Sequence, residues 1–138
     1  MDHGFLYANQ LASDGKNNRS TRDAEPCYAS AYAALEQGRD AEARALFSMM
    51  VVLWPRDERG WLGLGTVLEQ DQQWGFAAAI YAAGARQCPT SALCCLGQGR
   101  TLRHLGHKEL AADALDRAIS LADDSVLNRV VELERTQL

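Results

Sequence analysis

The chain has 138 residues, a formal net charge of −4 and a pI near 5.3. That length suits one domain with a modest core. The acidic balance, with no cluster of Lys and Arg, excludes a surface that tracks a phosphate backbone. No apolar stretch approaches the roughly 20 residues needed to cross a bilayer, and Met1–Leu6 lacks the basic start and apolar core of a signal peptide. The expected compartment is the cytoplasm.

Residues 1–23 read as an N-terminal arm and linker. Phe5, Leu6, Tyr7 and Leu11 would make a short helix or a sticky arm, and residues 13–23 are polar enough for a linker. From residue 24 onward the chain resembles itself. One constant shift brings Cys27, Trp61 and Cys95 into one column, and Ala31, Gly65 and Gly99 into another. Ala43, Ala77 and Ala111 coincide, as do Phe47, Tyr81 and Leu115. Pro55 matches Pro89, and Gly38 matches Gly106 with Gln72 between them.

Each column has a physical reason. Small residues let two helices of a hairpin approach closely, and large ones fill the space beside that contact. Gly38 and Gly106 suit the left-handed conformation that ends a helix. The prolines stop the second helix and set the turn to the next repeat. The period, about 34 residues, is that of the tetratricopeptide pattern. It predicts an all-α right-handed superhelix of three helix–turn–helix repeats, at about 24–57, 58–91 and 92–125. First helices are expected near 25–37, 58–70 and 92–104, and second helices near 40–53, 74–87 and 108–121. The tail, 125–138, reads as an amphipathic capping helix. Its apolar stripe is taken as Val126, Val130 and Leu133, with Asn128, Arg129, Glu132, Glu134 and Arg135 wet.

In such a superhelix the first helices line a concave groove. The groove-facing positions are Glu25, Tyr28, Tyr32, Leu35 and Glu36, then Arg59, Leu62, Thr66 and Glu69, then Leu93, Leu96, Arg100 and Arg103. The groove is expected to be aromatic and aliphatic at its N-terminal end and basic toward its C-terminal end. Tyr28, Tyr32 and Leu35 have two readings: ordinary amphipathic packing beneath the N-terminal arm, or pockets for apolar side chains of an extended peptide. Leu62, Thr66, Leu93, Leu96 and Arg100 extend the peptide-binding surface. A clamp for a C-terminal carboxylate is excluded, because its places hold Tyr28, Tyr32, Gly63, Leu93 and Gly97.

The chemical candidates are weak. Cys88, Cys94 and Cys95 with His104 and His107 lack the paired spacing of a zinc site. Neighbouring Cys94 and Cys95 would project about 100° apart on a helix, so reduced, packed thiols are expected. No phosphate loop or nucleophile signature occurs, and neither catalysis nor a cofactor or metal is expected.

Within this architecture the sequence resembles the class II chaperones of bacterial type III secretion, over residues 28–122. The residues that carry it are Tyr28, Tyr32, Leu35 and Gly38, then Phe47, then the run Arg59–Gly65, then Tyr81, Gly84 and Ala85, then Gly106, Ala111 and Ala112. The resemblance implies a cytoplasmic chaperone whose groove holds an extended segment of a hydrophobic translocator protein. It also implies homodimers in some members, and a transcriptional activator as a further partner. A scaffold that docks subunits of a secretion or pilus machine, or binds a regulator, is the alternative.

Overall fold

The structure is a computed structural model that describes residues 21–138. The expectation for Phe5, Leu6, Tyr7 and Leu11 lies outside the described residues. A 3-10 turn, Thr21–Ala24, takes the end of the segment read as linker and leads into α1, Glu25–Glu36. Then come α2 (Asp40–Leu53), α3 (Glu58–Gln70), α4 (Trp74–Gln87), α5 (Ala92–His104), α6 (Lys108–Leu121) and α7 (Ser125–Arg135). The six repeat helices fall within a residue of their predicted bounds.

The two kinds of turn are built differently. Within each repeat the hairpin closes on a left-handed residue: Gly38 at φ 72°, Gln72 at 57° and Gly106 at 82°. The next amide reaches back into the helix, Arg39 to Ala34 at 2.8 Å, Gln73 to Leu68 at 2.8 Å and His107 to Leu102 at 3.0 Å, satisfying carbonyls that the helix end leaves bare. Between repeats the helix instead starts on a side-chain cap. Asp57 accepts from the Arg59 amide, Ser91 from the Cys94 amide and Asp124 from the Leu127 amide. Such a cap contributes about 1 kcal/mol.

Packing follows the repeat columns. Phe47, Tyr81 and Leu115, one from each second helix, are almost fully buried. Each is received by a glycine. The Phe47 ring lies where a Gly63 side chain would be, Tyr81 is held between Gly65 and Gly97, and Leu115 lies on Gly99. Ala31, Ala43, Ala77, Ala111 and Ala118 are wholly buried, which brings neighbouring helices into contact. Trp61 packs its Cβ toward Gly84 and donates its indole N–H to the Pro55 carbonyl at 2.7 Å.

The last helix corrects the sequence reading. Val126, Val130 and Leu133, expected to face inward, are 72%, 41% and 60% exposed. Val131 is wholly buried instead, and Leu127 and Leu138 pack beside it against Cys95, Leu96, Leu115 and Ala118. Glu134, expected to be wet, bonds to Arg103. Both stripes keep helical spacing, 126–130–133 and 127–131–134–138, so periodicity alone does not choose between them. The repeat does. Val131 lies one full repeat after Gly97, at the place that receives the large residue of the preceding second helix.

Candidate functional site

The site candidates lie on the face formed by α1, α3 and α5. Tyr28 and Tyr32, one turn apart on α1, have ring centroids 6.0 Å apart at 36°. The Arg59 guanidinium of α3 sits 4.5 Å from the Tyr28 ring centroid, where the ring's negative face attracts it. Two carboxylates hold that guanidinium in place: Asp57 at 2.8 Å and Glu25 at 2.8 Å. Asp57 thus caps α3 and aims Arg59 at the same time, and its bond is the main reason the arginine is harder to deprotonate than usual. Tyr32 is 46% exposed. Hydrogen bonding to Glu36, followed by that group's charge, pushes its phenol above the ordinary range.

The other candidates divide. Leu35 and Leu62 are half-buried and lean on the core of the first two repeats. Thr66 gives its hydroxyl proton to the Leu62 carbonyl at 2.7 Å. Leu93 is 40% exposed. Leu96 is not an open surface residue: it is 5% exposed, in the cluster that Val131 of α7 completes. The capping helix covers it.

The expected basic end is also corrected. Arg100 donates to both oxygens of Glu69, Nε to Oε1 at 2.8 Å and Nη2 to Oε2 at 2.9 Å. Arg103 pairs with Glu134 of α7 at 3.1 Å. Successive first helices are therefore joined by one Arg–Glu pair each, Glu25–Arg59, Glu69–Arg100 and Arg103–Glu134, and α7 takes the place of a fourth first helix. Tyr81 completes the middle pair from below. Its hydroxyl donates to Glu69 Oε2 at 3.1 Å, and burial pushes its phenol up to about 12, with the Glu69 charge adding to the rise. Glu69 was placed on this face by its position in the repeat. Its pairing was missed, although Glu69–Arg100 and Arg103–Glu134 share one sequence separation, a signal visible in the chain itself.

The thiols are free. Cys27 donates to the Leu46 carbonyl at 3.6 Å and Cys88 to that of Pro55 at 3.7 Å. Burial pushes Cys88 and Cys94 up to about 11. His104 stacks on Trp74 with centroids 3.9 Å apart. Among the described residues no group of three His, Cys, Asp or Glu side chains could hold a metal ion, and no helix is long and apolar enough to cross a membrane.

Paired helices repeating at a constant period, small residues at the crossings and a cap at the end define a helical-repeat protein of tetratricopeptide type. Solved structures bear this out. An Aeromonas hydrophila type III secretion complex contains a chain 24% identical, with a TM-score of 0.78, over 94% of this chain and 90% of that one. The Yersinia enterocolitica type III secretion chaperone SycD, in complex with a peptide of the translocator YopD, is 23% identical with a TM-score of 0.76, over 87% of this chain and 95% of that one. The TPR2B domain of yeast Sti1, in an Hsp70 complex, has a TM-score of 0.75 at 14% identity, over 83% and 94%. No protein-family model matches the chain, and no curated protein matches it. At these identities the likeness is one of fold.

Proposed function

We propose that this protein is a cytoplasmic chaperone of type III secretion that holds a hydrophobic translocator in the groove formed by α1, α3 and α5. It binds an extended segment of the translocator and keeps it soluble and competent for export. One observation carries the reading: the face presents apolar surface at Tyr28, Tyr32, Leu35, Leu62 and Leu93, while its three arginines are occupied by carboxylates of the chain itself. Such a surface gains by burying uncharged side chains of an extended strand. The SycD–YopD complex, whose chaperone shares the fold, supports the choice of client.

The test is co-expression with candidate translocators, followed by mapping of the bound segment. Tyr28→Ala with Tyr32→Ala is expected to weaken that complex about tenfold or more; unchanged affinity would place the client elsewhere.

An adaptor that docks folded subunits has one observation in its favour. Phe76 and Leu110, a matched pair one repeat apart at the starts of α4 and α6, are 68% and 57% exposed. That reading predicts binding insensitive to Tyr28 and Tyr32 but lost on Phe76→Ser with Leu110→Ser.

A further inference from the structure

Arg100 and Arg103 stand one turn apart on α5, a spacing that places two side chains on one side of a helix. Bare, two adjacent guanidiniums make a strong site for a carboxylate, because each offers parallel donors to its two oxygens. Neither is bare. Glu69 of α3 takes Arg100 through two bonds of 2.8 and 2.9 Å, and Glu134 of α7 takes Arg103. Glu69 is itself fixed. Its side chain is only 14% exposed, and the buried Tyr81 hydroxyl donates to it at 3.1 Å. An acidic group approaching Arg100 must compete with a carboxylate already desolvated and oriented. Displacing Glu69 would also strand it in a poorly hydrated place. An uncharged segment meets no such obstacle.

We infer that Glu69 is a specificity-determining residue: by occupying Arg100 it closes the C-terminal half of the face to acidic segments and reserves it for uncharged, apolar ones. Glu134 does the same for Arg103. The inference rests on the proposed reading of this face as the binding surface.

The probes are two fluorescein-labelled extended peptides of on the order of 12 residues, rich in Leu and Pro. One carries Glu at alternate positions and the other Gln. Anisotropy is read at roughly 50 and 300 mM NaCl. The wild-type protein is expected to bind the Gln peptide about tenfold more tightly than the Glu peptide. In Glu69→Gln, which keeps an acceptor for Tyr81, that preference should disappear at low salt through tighter binding of the Glu peptide, with the Gln peptide unchanged. The gain should shrink at high salt, and adding Arg100→Gln should abolish it. A folded Glu69→Gln protein that keeps the wild-type preference overturns the inference. Should that variant fail to fold, Glu134→Gln, which frees Arg103, must show the same shift, and its absence overturns the inference equally. If neither peptide binds the wild type, the reading of the face as a binding surface fails. If both bind the wild type equally, only the role of Glu69 does.

Discussion

Glu69 and Arg100, on neighbouring first helices, meet through two parallel hydrogen bonds, and one repeat later Arg103 and Glu134 pair with the signs exchanged, both guanidinium nitrogens on one carboxylate oxygen. An Arg–Glu pair at the same repeat positions thus joins α3 to α5 and α5 to α7. Because Glu134 stands one full repeat after Arg100, α7 is docked in the register of a fourth first helix. The register also explains which of its two apolar stripes turns inward.

That register can be tested directly. Val131→Ala is expected to cost about 2 kcal/mol, the loss of two buried methyl groups plus the cavity they leave. Val126→Ala, at a 72% exposed site, should stay within about 0.5 kcal/mol of wild type. Urea midpoints decide it. Equal effects, or the reverse order, would mean that α7 packs through the other stripe.

The glycines that receive the large side chains should tolerate nothing larger. A Cβ on Gly97 would lie 2.6 Å from the Tyr81 ring, and one on Gly63 would overlap Phe47. Gly97→Ala and Gly63→Ala are each expected to lose about 2–3 kcal/mol through overpacking. Gly75, also helical, has nothing within 4 Å of such an atom, so Gly75→Ala should gain up to about 1 kcal/mol from helix propensity. Thermal unfolding of the three variants separates packing from propensity. A stable Gly97→Ala protein would contradict the packing described.

Gln72 is strained in a way that Gly38 and Gly106 are not. All three adopt positive φ, at 57°, 72° and 82° respectively, but only Gln72 carries a Cβ there. Gln72→Gly should raise stability by up to about 1 kcal/mol, and Gly106→Ala should lower it by a similar amount. Opposite shifts in urea midpoint are the signature; a destabilised Gln72→Gly protein would show that the side chain contributes more than its backbone strain costs.

Stability should decline in alkali. Burial disfavours the anions of Cys88 and Cys94, pushing them up to about 11 in the fold against an ordinary value of 9.0, and that of Tyr81, pushing it up to about 12 against 10.0. The folded values are the higher ones, so the unfolded chain releases its protons first. The contribution is complete below pH 9, falls between 9 and about 11 as the thiols of the unfolded chain ionise, and falls further toward about 12 through Tyr81. Urea midpoints on either side of this window should differ; a flat profile would mean that these groups are hydrated in the fold. The same burial predicts slow alkylation of Cys88 and Cys94 in the native protein.

Much of this architecture is written locally in the chain. Helix lengths, turn positions and the partner of each large residue follow from the repeat period, because every repeat solves the same short-range packing problem with the same residue types. Gly38, Pro55 and Phe47 each state their role through their neighbours and their copies.

What the tertiary structure alone decided concerns contacts between helices of different repeats. Leu96 has the sequence credentials of a surface leucine and is buried because α7 lies over it. Arg100 and Arg103 look like a basic end and are neutralised because Glu69 and Glu134 arrive from adjacent helices. A period fixes which side of a helix is apolar, but the charge and accessibility of a face depend on which side chains the next helix brings within about 3 Å of it.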